Sequence, residues 1–361
     1  LQYALRVRCW AAEQEDEEDM KMDVFSPKER LLRSLKKEKV DRPPVICPGG
    51  MMNAALVEIM QKTGHTLPEA HHTDSLMREL AYDVHANTGF ENFGIPFCMT
   101  VEAEALGSPI DFGTLSCEPK IQKEAYDLVK SVKFLPRGVM EKSSRVAAVV
   151  QSLHYLSEKY PEVPAIGSLT GPLSTAASIV DPMTFLKQLR REKETAHAVL
   201  DYVSNHLIDY AQLMVDNGAT VVSIADPTAT GEILGPKMFK EYAVLYLNKI
   251  ADAIHAMGVP VIIHICGEMA MVKPQIAELH GDAISVDAFV NLKQMKEEYH
   301  TLTTMGNLST YLLEFSNPNT IYDQSKVLLR NHIDIISPAC GLSTSTKLEN
   351  INAFTRAIKE E

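Results

Sequence analysis

Eight short apolar runs, alternating from Ser26 onward with amphipathic helical stretches, predict an α/β chain folded as a single (β/α)8 TIM barrel behind an N-terminal extension. Glycines fall where the longer helical stretches stop, at Gly218, Gly258 and Gly281, as left-handed caps require. Each apolar run also gives way to polar residues or glycine, the pattern of strands that feed the functional face of a barrel. The length of 361 residues suits one such barrel.

Residues 1–22 stand apart. They do not begin with Met and carry an acid run from Glu13 to Asp19, so they are expected to be a non-native or disordered extension before a barrel domain at 23–361. Ser26-Pro27-Lys28-Glu29 starts a helix, with Ser as cap, Pro in the first turn and Glu three residues on. Arg42-Pro43-Pro44 is expected to end it. The predicted strands are 45–47, 93–97, 164–169, 220–225, 259–266, 283–286, 303–307 and 333–337. Helices are predicted from Pro182 to about Asn217, Pro236 to Met257, Met271 to Leu279 and Leu348 to Lys359. The long connection over 99–163 is expected to hold an excursion across the barrel mouth.

Composition narrows the function. Hydrophobic residues make up 45% and charged ones 23%, an ordinary globular balance. The net charge of -12 argues against nucleic acid or an anionic membrane as partner, since both need clustered Lys and Arg. No run is long enough for a membrane helix and no secretory signal is visible, so a cytoplasmic location is expected. There the six cysteines read as reduced thiols or metal ligands rather than disulfides.

The chemistry concentrates at two strand ends. His264 and Cys266 lie two apart on a predicted strand, so both side chains point the same way. Gly267 lets the chain turn after them. Cys340, between Pro338 and Gly341, ends the eighth strand at the same level of the barrel. His264, Cys266 and Cys340 are expected to form a Zn²⁺ site whose three protein ligands leave one tetrahedral position open. A thiol is a weak nucleophile while protonated, and coordination to Zn²⁺ deprotonates it. Two thiolate ligands keep the metal electron-rich, which suits attack by a bound sulfur on a methyl carbon. The competing reading is a metal-free nucleophilic Cys266 or Cys340 with His264 as base; two thiols are more than it needs.

Other mouth residues have candidate roles. Asp226 is expected to serve as general base, fourth ligand or substrate contact, with a capping role as the alternative. Glu268 is expected to orient His264 through its second ring nitrogen, or else to be a solvated loop acid. Met51 and Met52 follow the first strand and are placed to line a cofactor face; Asn307 and Asp287 sit at comparable strand ends. Of Glu102 and Glu104, in the excursion, at most one is expected to matter. His65, His71 and His72 lie in a polar stretch and are expected to be surface residues.

Lys28-Glu29-Arg30-Leu31 and Val40-Asp41-Arg42-Pro43-Pro44-Val45 resemble the opening of the uroporphyrinogen decarboxylase superfamily. His264-Ile265-Cys266-Gly267 and Ser337-Pro338-Ala339-Cys340-Gly341 are similar to its zinc branch, the methylcobamide:coenzyme M methyltransferases. Thr100 to Gly107 and Met305-Gly306-Asn307-Leu308 resemble that branch too. The resemblance runs from about residue 26 to the end. It implies a TIM barrel, zinc on His264, Cys266 and Cys340, and a methyl group carried from a methylated corrinoid protein, as methylcobalamin, to a small thiol. The decarboxylase branch carries an arginine-bearing segment after the first strand. Here it reads Cys47-Pro48-Gly49-Gly50-Met51-Met52, without arginine, which disfavours a substrate with eight carboxylates. For a sulfonate acceptor, Ser343 to Lys347 is expected to supply hydroxyls, backbone N–H groups and one Lys. The remaining alternatives are a folate acceptor, and a non-catalytic corrinoid- or metal-binding partner in a methyl-transfer complex.

Overall fold

The computed structural model describes residues 25–360; the expectation for 1–22 lies outside them. The first helix, Pro27–Leu35, starts as predicted, with Ser26 Oγ accepting from Glu29 N at 3.2 Å. It stops at Leu35 rather than near Arg42, because Lys37 takes a left-handed φ of 59° and turns the chain back.

Seven parallel strands follow in ring order: β1 (Phe93–Ile95), β4 (Ala165–Thr170), β5 (Val221–Ala225), β6 (Val261–Ile265), β7 (Ala283–Val286), β8 (Thr304–Leu308) and β9 (Ile335–Pro338). The eighth stave is the segment 45–47, which makes only one ladder bridge, Val45 to Ile336. Pro43, Pro44 and Pro48 lack the N–H donors a longer ladder needs. Ile46 N still donates to Ile336 O and Ile336 N to Pro44 O, both at 2.9 Å. On the other side, Glu91 N donates to Val45 O, and the Asn92 amide both accepts from Cys47 N and donates to Cys47 O at 2.9 Å. A side chain thus completes the pairing that closes the barrel.

The seam is tight. A Cβ on Gly94 would lie 2.5 Å from Pro48 C and 2.6 Å from Gly49 N, so only glycine allows the two segments to pass. Below it, Arg30 pairs with Asp41 at 2.6 Å and Glu91 at 2.8 Å, and Arg42 pairs with Glu91 at 2.6 Å. The lumen is filled by inward residues such as Ile46, Ile166, Val221, Ile262 and Met305, closed below by Leu31 and Leu35.

The predicted helix over 182–217 is two helices, Pro182–Arg191 and Lys193–Asp216, broken at Glu192. Neither Pro nor Gly marks that break. The helix predicted from Pro236 begins at Gly231, kinks at Gly235 (φ 62°), passes through a wide turn at Phe239–Val244 and runs on as Leu245–Ala256. Met271 to Leu279 holds only the short turns Ala270–Val272 and Lys273–Ile276. The last helix, Leu348–Lys359, matches its prediction. The excursion includes the helix Val101–Ala105, the antiparallel pair β2 (Ile110–Asp111) and β3 (Lys120–Ile121), and the helix Ser144–Lys159. Its hairpin turn docks on the loop after β9, where Thr344 Oγ1 donates to Ser116 O at 3.0 Å. No helix among the described residues is long and apolar enough to cross a membrane.

Candidate metal centre

β6 brings His264 and Cys266 to one side of the mouth, and Gly267 (φ 77°) turns the chain away. His264 is fully buried. Its Nε2 lies 3.0 Å from Cys266 Sγ, and Cys266 Sγ lies 3.0 Å from Cys340 Sγ. The ligand atoms of His264, Cys266 and Cys340 all fall within 4.8 Å of one another, the one such group of His, Cys and carboxylate side chains found among the described residues. Both thiols are unbridged.

The imidazole is held from behind. Ser285 sits directly across from His264 in the β6–β7 register, and its Oγ is 2.9 Å from Nδ1. That contact leaves Nε2 facing the sulfurs. The Cys340 thiol is pulled down, chiefly by its hydrogen bond with Cys266 and then by His264; Cys266 is pushed up by that same bond and by burial. The shared bond favours negative charge on Cys340 over Cys266, and a second thiolate needs positive charge brought to the cluster.

Met51 joins the site, its Sδ 3.8 Å from Cys266 Sγ. A Cβ on Gly341 would lie 2.6 Å from Met51 O, so the loops after 45–47 and after β9 interlock here. The other predicted residues are engaged elsewhere. Asp226 is fully buried and caps the helix Pro172–Ile179, accepting from Leu173 N and Ser174 N at 2.9 Å and from Ser174 Oγ at 2.6 Å. Burial pushes its carboxyl up to about 6. Glu268 does not orient His264: the turn at Gly267 carries it into solvent, where it accepts from Ala270 N at 2.7 Å. Asn307 fastens the loop after β7, donating to Asp287 O at 3.0 Å and Val290 O at 2.9 Å. Glu102 is buried on Thr170, accepting from its N at 2.7 Å, while Glu104 pairs with Arg145 at 2.9 Å.

Two expectations need correction. His71 is not a surface residue; it is 1% exposed, and neither ring nitrogen has a hydrogen-bond partner. The Ser343–Lys347 stretch is not an open anion cradle. Ser343 and Ser345 bond each other at 2.7 Å, Ser345 Oγ donates to Glu314, and Glu58 sits at the helix N-terminus 3.4 Å from Leu348 N. The sequence reading also missed Ser285, a polar residue in an otherwise apolar strand whose role depends on register, and Glu118. Glu118 reaches the mouth from the hairpin and accepts from Asn53 Nδ2 at 3.0 Å.

Known proteins share this architecture. The family described as uroporphyrinogen decarboxylase (URO-D) matches residues 26–361. A methylcobamide:CoM methyltransferase of Methanosarcina acetivorans is 34% identical over 340 residues, covering 94% of this chain and 99% of its own. One from Methanosarcina barkeri is 30% identical over 343 residues, with 94% and 99% covered. A solved methyltransferase from Methanosarcina mazei superposes with a TM-score of 0.86 at 31% identity, covering 93% of this chain and 99% of that one. Uroporphyrinogen decarboxylases match at 23% to 25% identity.

Proposed function

This chain belongs to the uroporphyrinogen decarboxylase family, and from that premise we propose that it is a methyltransferase carrying a methyl group from a methylcobamide to coenzyme M, with zinc held by His264, Cys266 and Cys340. The carrying observation is the convergence of these three ligand atoms within 4.8 Å, in a chain more similar to methylcobamide:CoM methyltransferases than to decarboxylases.

The donor set suits zinc. Tetrahedral bonds of about 2.3 Å to sulfur and about 2.0 Å to nitrogen place neighbouring ligand atoms roughly 3.5 Å apart, within the span seen here. Zinc so bound would supply the positive charge that turns an incoming thiol into a nucleophilic thiolate at neutral pH. Ser285 fixes the imidazole tautomer. Cys266 and Cys340 contribute the negative charge that keeps an acceptor sulfur electron-rich. The Met51 thioether offers the thiols a soft, apolar neighbour. The methyl donor comes as a methylated corrinoid protein, and the reaction proceeds in the cytoplasm, where thiols stay reduced.

Decarboxylation of a polycarboxylate fits poorly. Arg30 and Arg42 lie at the seam below the sheet, paired with acids, and Arg145 is 2% exposed and held by Glu104 and Cys98. The deciding measurement is zinc content by elemental analysis, followed by methyl transfer from free methylcobalamin to coenzyme M. Wild type should carry about one zinc per chain, and Cys266→Ala and Cys340→Ala should lose both metal and turnover. A zinc-free but active wild type would sink the metal mechanism. Tight methylcobalamin binding without turnover would make the protein a binding partner instead.

A further inference from the structure

Making a thiolate from a thiol releases a proton, and the ligand set cannot keep it. His264 has both nitrogens engaged, and the two cysteine sulfurs carry the negative charge. Resting on the methyltransferase reading, we propose that Glu118 is the proton acceptor for the incoming thiol, a role carried by its placement in the mouth between the two loops that frame Cys266 and Cys340.

Three observations support that placement. The hairpin bearing Glu118 is pinned at Ser116 to Thr344, in the loop that follows Cys340. Glu118 Oε1 accepts from Asn53 Nδ2 at 3.0 Å, and Asn53 belongs to the loop whose Met51 touches Cys266. Asn53 is itself 4% exposed and fixed by Ala55 N, so the carboxyl is aimed by a buried partner.

The groups around Glu118 set its chemistry. Crowding in the mouth pushes its carboxyl above the ordinary range, Asn53 and His71 oppose that, and negative charge on Cys340 adds to it. His71 is the buried, unpartnered ring on the inner side. Burial and the charge of Arg145 push His71 down to about 3, so it stays neutral and the proton goes to the carboxylate. Arg145 is paired with Glu104, and the charge of Asp287 acts on Cys266. In the step itself, the acceptor S–H bond breaks and its electron pair stays on sulfur. The proton forms an O–H bond on Glu118. The sulfur pair then forms the S–CH₃ bond as the methyl group leaves the cobamide, which retains the pair of the broken bond. Glu118 holds the proton while the thiolate is bound and, being exposed on its outer side, releases it to solvent once the methylated product departs.

The test is titration calorimetry of coenzyme M into zinc-loaded protein, in buffers of different ionisation enthalpy, alongside the pH profile of methyl transfer. Glu118→Gln keeps an oxygen for Asn53, and Glu118→Asp keeps the acid. Wild type should release fewer protons per bound thiol than Glu118→Gln, with the gap widening as the pH falls from neutrality toward the carboxylate range and closing where Glu118 is already protonated before the thiol binds. Glu118→Gln should lose about 100-fold in kcat with KM little changed, and Glu118→Asp should recover part of it. Equal proton counts and parallel pH profiles in wild type and Glu118→Gln would overturn the proposal while leaving the zinc reading intact. A zinc-loaded wild type that binds no coenzyme M would take down the parent reading and this one together.

Discussion

A single hydroxyl decides which face of His264 meets the thiols. Ser285 Oγ occupies Nδ1 at 2.9 Å, so removing it frees the ring to rotate or to take the wrong tautomer. Ser285→Ala should therefore weaken zinc binding by about 10- to 100-fold in competition with a chelator. An unchanged affinity would mean that packing alone orients the ring. At this scale the candidate ligands are legible in the sequence and their supports are not. His264, Cys266 and Cys340 announce themselves because metal chemistry needs those residue types at strand ends. Ser285 is meaningful only once β6 and β7 are in register. Glu118 reaches the mouth through a hairpin whose fold no local spacing encodes. Glu268 fails for the opposite reason: adjacency in sequence suggests adjacency in space, and the turn at Gly267 undoes it.

Elements with regular period and clear punctuation match their predictions, and those shaped by neighbours do not. β7 and the helix Leu348–Lys359 begin and end where expected. The stave at 45–47 shrinks to one bridge because prolines flank it, and the Asn92 side chain supplies the missing pairing. The wide turn at Phe239–Val244 and the break at Glu192 carry no sequence signal of their own, since packing against the barrel sets them. The seam is the element most exposed to change. Gly94→Ala would drive a Cβ into backbone atoms of Pro48 and Gly49 that cannot swing aside. It should cost about 3 kcal/mol and lower the melting temperature by several degrees. A melt within a degree of wild type would show that the seam can spread.

The whole molecule is tied at its base by Arg30, Asp41, Arg42 and Glu91, which join the first helix to both sides of the seam. Burial alone would push the Glu91 carboxyl up, but Arg42, Val45 N and Arg30 overcome it and hold it below the ordinary range; Arg30 does the same for Asp41. Folded-state values below the unfolded ones mean stability that is present at neutral pH and lost as the pH falls through the carboxylate range. Glu91→Gln strips Arg42 of its carboxylate partner and leaves the buried Arg30 with Asp41 alone. It should cost about 3 kcal/mol or more at neutral pH and flatten the acid limb of a denaturant-midpoint profile. An unaltered acid limb would locate the acid sensitivity elsewhere. The seam also imposes an order in time. Val45 meets Ile336, so a barrel emerging from the ribosome waits until all seven other strands have been made before its first stave finds a neighbour on that side. Cys340 lies a few residues beyond Ile336 and arrives with the same late strand. Until then His264 and Cys266 form only an incomplete pair, so, on the proposed zinc reading, a nascent chain has little means of trapping metal before its ring is shut.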